Sequence, residues 1–353
     1  MEITFFVGNG FDLAQGLATR YVDFYKYVMD EEEKGNLLLN DDNIFLKKIR
    51  EYILEEKDID AHKKDATDID WADFEKALGE YTVHLKNEKE STKYLVDLEE
   101  FRDVFIDYIQ EQEKLYTITE AEAKKMFNEL RLNFYKDIPK QNEARILNLM
   151  SGKSNRMYNF NFVNFNYTQT LNNIIKHTSV IDDSNKGKFI CKSPIHVHRD
   201  LDNGAFLGVN DVSQIANPEV FRKRELNYII KPELQKSDDA NLPIRIENLI
   251  KNTEIFFIYG MSMGITDKIW WQKIADQILQ YNNKYLIINM HVSKTDKIRA
   301  NRHASKKDRL KESMEIEFLK NLNLNEKQEE EFLSRTFVIL GSEYIFQKVI
   351  DSE

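Results

Sequence analysis

The pattern of apolar and polar residues divides the chain into segments of different periodicity. Residues 3–7, ITFFV, are a short β-branched and aromatic run that ends at a glycine, which is typical of a buried first strand. From about residue 21 to residue 149 the apolar residues recur at helical spacing, and no proline occurs before Pro139. This long segment is therefore predicted to fold as several packed amphipathic helices.

After Met150 short apolar runs alternate with helical patterns. The pattern predicts strands at residues 158–165, 195–198, 205–209, 254–259, 285–290 and 336–340, and helices at 168–176, 267–281 and 305–334. This alternation predicts an α/β fold, a Rossmann-like parallel sheet flanked by helices and interrupted after strand 1 by a long all-helical insertion. The predicted domains are a nucleotide-binding α/β core, residues 1–20 and 151–353, and an acidic helical insertion, residues 21–150.

Composition and charge narrow the function classes. The chain of 353 residues is 42% hydrophobic and 12% aromatic, enough for a sizeable core, which excludes wholesale disorder. Its net charge of −10 argues against a general nucleic-acid binder. Residues 21–140 hold 31 acidic and 19 basic residues, net −12, so the rest of the chain carries +2. That remainder is able to accept an anionic ligand.

Cysteine content and apolar runs exclude further classes. Cys191 is the single cysteine, so the chain can build neither an intramolecular disulfide nor a thiolate metal site. The start MEITFFVGNG has an acidic residue where a signal peptide carries its cationic region. The most apolar stretch, residues 255–265, is about half as long as the roughly 20 residues that span a bilayer. We expect a soluble, cytoplasmic protein with no membrane partner.

Glycine is scarce, with 12 residues, and seven of them lie in three short segments. The first segment, Gly8-Asn9-Gly10-Phe11-Asp12, follows the predicted first strand directly. Glycines at a strand-to-helix turn let backbone N–H groups approach a phosphate. The third glycine of the dinucleotide fingerprint is absent, as is the Gly-Lys of a P-loop. A ligand loop and a tight structural turn both remain open, and Asp12 is either a ligand contact or a helix N-cap.

Further polar residues stand at the ends of the later predicted strands. They are Asn166 in Asn164-Phe165-Asn166-Tyr167-Thr168, the pair His196 and His198, Gly260 with Ser262 and Asp267, and Asn289. The asparagines of the segment 164–168 are either ligand contacts or residues that only cap the loop. A His-x-His on a strand places both imidazoles on one face, but no third ligand lies nearby, so no metal is predicted. Because strand ends meet at one sheet edge, we expect one nucleotide crevice.

These segments together resemble the AbiH family of bacteriophage abortive-infection proteins. The matching motifs occur in order as GNGFDLAQGLATRYVDF, NFNYTQTL, IHVH with LGVND, and IYGMSMGITD. The resemblance covers nearly the whole chain, although the helical block carries little of it. It implies an antiphage abortive-infection effector. A phage-derived trigger and a second copy of the chain are the partners considered for the acidic helical block.

The AbiH motifs in turn resemble those of sirtuin-like proteins that bind NAD and in some cases hydrolyse it. On that pattern Asn166 and His198 match catalytic residues. The residues that would bind NAD are Gly8, Asn9, Gly10, Phe11, Asp12, Gly260, Ser262, Asp267 and Asn289. Three features depart from the pattern: Thr168 replaces an aspartate, Arg199 replaces a glycine, and there is no cysteine quartet for zinc. The resemblance implies cleavage of the nicotinamide–ribose bond, with NAD as substrate or ligand, and argues against protein deacetylation.

Two other functions remain open. Residues 294–311 hold eight basic residues and two acidic ones, a composition that suits a nuclease that neutralises RNA phosphates as well as a solvated helix face. A nucleic-acid partner is thus an alternative that the overall charge does not favour. The third reading is a non-catalytic nucleotide-binding sensor. Whether His196 or His198 faces the ligand is also left open.

Overall fold

The computed structural model describes residues 1–57, 73–151, 157–178, 180–183, 187–201, 207–263, 267–342 and 344–347. The strands are β1 Glu2–Val7, β2 Met157–Asn164, β3 Val180–Asp183, β4 Gly187–Cys191, β5 Ile195–His196, β6 Ile255–Tyr259, β7 Tyr285–Met290 and β8 Thr336–Leu340. The helices between β1 and β2 are α1 Gly10–Ala14, α2 Tyr21–Glu33, α3 Ile44–Lys57, α4 Phe74–Tyr81, α5 Glu88–Lys114, α6 Glu120–Asn133 and α7 Lys140–Met150. The later helices are α8 Thr170–Ile175, α9 Lys223–Leu226, α10 Lys231–Asp238, α11 Leu242–Asn252, α12 Lys268–Gln280, α13 Lys294–Arg302, α14 Ala304–Leu319 and α15 Glu326–Leu333.

The strands form one sheet in the order β3-β4-β2-β1-β6-β7-β8, and β5 pairs with the end of β2. All pairs are parallel except β3 with β4. From β1 the chain proceeds outward through β2 and β4, then returns to the other side of β1 as β6, β7 and β8. Leaving β3 and β5 aside, this is the 3-2-1-4-5-6 order of dinucleotide-binding sheets. The predicted Rossmann-like sheet and the helical stretch between β1 and β2 are confirmed.

Both faces of the sheet are buried, which is why its strands are almost continuously apolar. Ile3, Phe5 and Val7 face a core that includes residues of α6 and α8, whereas Phe6 faces a second core with residues of α11, α12, α14 and α15. The Phe5 ring lies 5.0 Å from that of Phe257, centroid to centroid. Such cross-strand aromatic contacts fix the register of the central strands.

The chain separates into two compact units, which we describe individually. The first comprises Met1–Gly16, Tyr116–Val197 and Leu242–Glu353 and contains the sheet. The second comprises Leu17–Leu115 and His198–Asn241. These bounds differ from the predicted domains because α6 and α7 pack with the sheet, whereas residues 198–241 belong with α2–α5. The division into a nucleotide-binding core and an acidic insertion stays a prediction.

An aromatic core holds the second unit together. Phe101 of α5 stacks on Phe74 of α4 at 4.2 Å and meets Phe24 of α2 edge-on at 5.3 Å. All three side chains have no exposed surface. The helical periodicity in this part of the sequence therefore corresponds to an interior packed through rings.

Several segments differ from the predicted elements. The predicted helix 305–334 is two helices, α14 and α15, separated by residues 320–325. Residues 207–209 of the predicted strand 205–209 contain only one isolated bridge, Val209 to Ile230, and residues 205–206 lie outside the described residues. The β3–β4 hairpin was not predicted, because its strands are too short to show a period of two. Among the described residues, no helix combines the length and apolar character needed to cross a membrane.

Candidate functional site

Four neighbouring strands end in register at the carboxyl edge of the sheet. Val7 pairs with Asn164 on one side and with Tyr259 on the other, and Tyr259 pairs with Asn289. With strands roughly 4.8 Å apart, this row spans roughly 14 Å. The change of direction beside β1 is the point where doubly wound sheets bind ligands. The predicted residues 8–12, Asn166, Gly260 and Asn289 follow or end these strands.

The two glycine segments at this edge contact each other directly. The Gly8 N–H donates to the Tyr259 carbonyl at 2.9 Å, and the Gly10 N–H donates to the Gly260 carbonyl at 2.8 Å. A Cβ atom at Gly10 would lie 2.6 Å from the Gly260 Cα, closer than real Cβ atoms approach. Gly260 also has a φ of 66°, which favours glycine. These two glycines are therefore required for close packing of the two loops.

This packing bears on the predicted phosphate contact. The amides of Gly8, Gly10 and Phe11 all donate to backbone carbonyls, the last to Gly8 at 2.9 Å. Phosphate can thus reach the Gly10 amide only after its bond to Gly260 has opened. Asn9, between the glycines, is exposed and stands at the N-cap of α1 without a side-chain capping bond.

Phe11 lies in the core and not on a ligand surface. Its side chain has no exposed area, and its ring meets that of Phe346 edge-on at 5.0 Å. The Phe346 carbonyl accepts from the Gln15 side chain at 2.9 Å, which fixes this C-terminal residue beneath α1. Phe11 can therefore support a ligand loop by packing, and its side chain is not available for contact.

Asp12 connects the first loop to the loop after β2. Its carboxylate is 1% exposed and accepts from the Thr168 hydroxyl at 3.0 and 2.8 Å, one distance to each oxygen. Asp12 lies inside α1, whose N-cap is Asn9, so the N-cap alternative is wrong. Burial, Glu122 and Asp12 together raise the pKa of the Tyr116 phenol in the same unit. The site therefore contains a buried carboxylate, that of Asp12, which binds the Thr168 hydroxyl.

The asparagines after β2 leave hydrogen-bonding groups unused. Asn164 is fully buried, and its side-chain oxygen accepts from the Asn166 N–H at 3.0 Å. The Nδ2 atoms of Asn164 and Asn166 and the Thr170 hydroxyl are buried and find no partner among the described residues. Each unsatisfied group costs about 1–3 kcal/mol, so such clusters usually mark a bound water or ligand. Loop capping explains the Asn164 oxygen, and it does not explain the three unpartnered groups.

His196 supports the backbone of Asn166. Its Nδ1 lies 3.1 Å from the Asn166 carbonyl, and its Nε2 lies 3.1 Å from Oδ1 of Asn172. The Asn166 carbonyl can only accept, so Nδ1 donates to it. His196 therefore holds the backbone of Asn166 from β5.

His198 does not share the strand face with His196. β5 ends at His196, so the prediction that both imidazoles project from one strand face is wrong. His198 is 7% exposed and belongs to the second unit. The next residue, Arg199, has a φ of 62°, a conformation that favours glycine. Arg199 therefore has a backbone conformation that glycine adopts more readily than residues with a side chain.

The remaining predicted residues lie after β6 and β7. Ser262 is exposed, and Asp267 occupies the N-cap of α12 without a side-chain capping bond. Residues 264–266 of this segment lie outside the described residues. The Asn289 side-chain oxygen accepts from the Ser342 N–H at 2.8 Å, so it holds the turn after β8. A contact of Asn289 with ribose would therefore use its amide nitrogen or the second lone pair of that oxygen.

The described residues offer neither a cluster of metal ligands nor a reactive cysteine. Within the part of the chain that the structure describes, no three histidine, cysteine or acidic side chains cluster as metal ligands would. Cys191 is buried, and burial raises the pKa of its thiol to about 12. A thiol so far from ionisation is a poor nucleophile at neutral pH.

Three residues of the site escaped prediction from the sequence. Thr170, Asn172 and the supporting role of His196 become visible only when the loop after β2 is seen against β5. The signal available beforehand was the density of polar residues in NYTQTLNN directly after a buried strand. Strand ends in parallel sheets are where such residues act on ligands.

Comparisons with known proteins agree with the motif series. A family model described as "Bacteriophage abortive infection AbiH" matches residues 4–289. The match covers more than half of the chain and includes all four strand ends of the site. No curated protein matches the chain.

Proposed function

Because the chain belongs to the AbiH family of bacteriophage abortive-infection proteins, we propose that it acts in defence by binding and hydrolysing NAD in the cytoplasm. The proposed site is the carboxyl edge of the sheet beside β1. The observation that carries the proposal is the buried Asn166 amide, which has no hydrogen-bond partner among the described residues and lies at the switch point of a sheet with dinucleotide-binding strand order. A ligand oxygen or a water held there satisfies that amide.

The proposed reaction is hydrolysis of the nicotinamide–ribose bond. Water oxygen forms a bond to the anomeric carbon while the bond from that carbon to the pyridinium nitrogen breaks. The electron pair of that bond neutralises the ring, so nicotinamide leaves uncharged. The proton of the water passes to a base and then to solvent; on the sirtuin-like motif resemblance that base is His198. Asn166 positions the water or a ribose hydroxyl, and the transition state resembles an oxocarbenium ion.

Asp12 strengthens the proposal at the point where the sequence departs from the sirtuin-like pattern. Thr168 stands where that pattern has an aspartate, yet its hydroxyl binds the Asp12 carboxylate at 2.8 Å. We propose that Asp12 supplies the missing negative charge from α1, the helix that follows the neighbouring strand β1. A carboxylate near the anomeric carbon stabilises the positive charge that develops during cleavage.

The direct test is NAD turnover by the full chain and by single variants. We expect nicotinamide release by the wild type and a loss of roughly 100-fold in Asn166→Ala, since one positioned polar group is worth about that much. His198→Ala is expected to lose activity as well. Asn148→Ala, an exposed asparagine on α7, is the matched control and keeps wild-type activity. Thermal unfolding of each variant checks that the fold is intact.

The outcomes separate the alternatives. NAD binding without nicotinamide release, in the presence and absence of phage lysate as trigger, supports a nucleotide sensor and overturns hydrolysis. Cleavage of host RNA during infection with steady NAD supports a nuclease. Equal turnover in wild type and Asn166→Ala contradicts the assigned site. Size-exclusion chromatography with and without NAD tests the proposed homo-oligomer.

A further inference from the structure

We propose that the surface formed by α13 and the start of α14 binds single-stranded RNA. The name basic face stands here for the five exposed cations of these two consecutive helices, Lys294, Arg299, Arg302, Lys307 and Arg309. None of the five makes an ion pair or hydrogen bond with any described residue. The proposal does not depend on NAD cleavage.

The neighbouring lysines show what a structural role looks like in this segment. Lys297 donates to the Gly341 carbonyl at 2.7 Å, and Lys306 pairs with Asp296 at 2.7 Å. These two side chains fix α13 against the loop after β8 and against α14. The five cations of the basic face lack such contacts, so their charges serve no packing purpose within the described structure.

The electrostatic field of the basic face is positive. Asp296 is bound by Lys306 and by Ser293, and these bonds lower the pKa of its carboxyl. Asp308 is then the remaining acidic side chain between residues 294 and 311. Burial, followed by the charge of Lys307, lowers the pKa of Lys311. A polyanion that approaches this face gains Coulomb energy and releases its counterions.

The chemistry of the side chains favours RNA over a lipid surface. A membrane-binding helix presents several large apolar residues, whereas Ile298 is the one exposed large hydrophobic residue between 291 and 311. Three of the five cations are arginines, whose planar guanidinium groups bind phosphate through two parallel hydrogen bonds and stack on unpaired bases. A single strand offers such bases and a duplex does not.

Exposed hydrogen-bonding groups between the cations favour RNA over DNA. Thr295, Asn301 and Ser305 are exposed and make no side-chain hydrogen bond to described residues. Their hydroxyl and amide groups can pair with a 2′-hydroxyl, the group that distinguishes RNA from DNA. The first of the five cations, Lys294, is the fourth residue after β7, so this segment begins at the carboxyl end of that strand in the same unit.

The test is binding of a fluorescein-labelled single-stranded oligoribonucleotide to the full chain as salt is varied. If all five cations neutralise phosphates, the logarithm of the association constant falls with the logarithm of the salt concentration at a slope of about −3.5. The affinity then falls roughly 100-fold between about 50 and 200 mM salt. The variant Arg299→Gln/Arg302→Gln/Arg309→Gln retains two of the cations, so its slope becomes about −1.4 and its affinity falls by at least roughly tenfold at low salt.

The matched control removes the same charge elsewhere on the first unit. Arg145→Gln/Lys251→Gln/Lys327→Gln replaces three exposed cations outside the basic face and is expected to bind RNA as the wild type does. The proposal is overturned if both triple variants lose the same RNA affinity or if the wild type does not bind RNA at low salt. It is also overturned if the wild type binds single-stranded DNA or anionic vesicles as tightly as RNA. Because NAD turnover is measured separately, the two proposals can fail independently.

Discussion

The contact between the two glycine loops gives the sharpest test of the site architecture. In Gly10→Ala the new Cβ would stand 2.6 Å from the Gly260 Cα and 3.1 Å from the Gly260 oxygen. Both neighbours are backbone atoms, so no side chain can turn away. Carbon atoms pack at about 3.5–4.0 Å, so the loops must separate by roughly 1 Å. That movement breaks the 2.8 Å bond from Gly10 N–H to the Gly260 carbonyl.

The energetic cost of Gly10→Ala follows from these contacts. Overpacking costs about 1–3 kcal/mol, and a lost backbone hydrogen bond adds about 0.5–1.5 kcal/mol. Gly10 begins α1, where alanine gains up to about 1 kcal/mol in helix propensity. The balance is a loss of about 1–3 kcal/mol in the free energy of unfolding.

Urea unfolding followed by tryptophan fluorescence in a Trp71→Phe background measures this loss, because the two remaining tryptophans, Trp270 and Trp271, both lie on α12 in the first unit. The control is Gly35→Ala in the second unit, where an added Cβ meets no atom within 4 Å but φ is 88°. The strained backbone of Gly35→Ala destabilises the second unit, and we expect the unfolding transition reported by Trp270 and Trp271 to stay unchanged. A Gly10→Ala protein as stable as the wild type would refute the close approach of the loops.

Three further predictions concern the same unit. Thr168→Val removes the hydroxyl that donates to the buried Asp12 carboxylate, and we expect urea unfolding to show a loss of about 1–3 kcal/mol, against no change in the exposed control Thr92→Val. His196→Ala removes the bond to the Asn166 carbonyl at 3.1 Å, so NAD turnover falls while the urea midpoint shifts little; unchanged turnover contradicts a positioning role. Burial raises the pKa of the Cys191 thiol to about 12, so below that pH the rate of its labelling by a thiol reagent rises roughly tenfold per pH unit. Labelling of the folded protein is expected to be far slower than labelling in urea. Equal labelling rates in the folded and the unfolded protein would contradict this.

The sequence was sufficient to predict the parts of the fold in which burial dictates composition. Strands β1, β6, β7 and β8 were predicted to within a residue or two, because strands buried on both faces are continuously apolar. The helical block before β2 was predictable for the same reason, through its 3.6-residue period. Neither signal depends on knowing which elements become neighbours.

The departures from prediction arise where tertiary contacts override local pattern. His198 follows the alternation of a strand, but β5 ends at His196 and the chain then turns at Arg199. The first glycine segment suggests free amides, yet Gly8 and Gly10 bind carbonyls of a loop about 250 residues later in the chain. A local pattern contains no information on such partners.

The candidate site shows the same division. The carboxyl edge of the sheet was predictable, because polar residues after buried strands meet there by topology. The bond between Thr168 and Asp12 joins residues 156 positions apart, and no local pattern indicates it. Likewise, the Asn166 amide lacks a partner in the described part of the chain because of its surroundings and not because of its residue type.

The central claim is that the carboxyl edge beside β1 binds NAD. Isothermal titration of NAD into the wild type, Asn166→Ala and the exposed control Asn148→Ala tests it directly, since binding is measured whether or not cleavage follows. The account predicts saturable binding to the wild type and the control, with affinity at least roughly tenfold lower in Asn166→Ala, as expected for a lost hydrogen bond to a buried group. Absence of NAD binding to the wild type, or equal affinity in all three proteins, would contradict it.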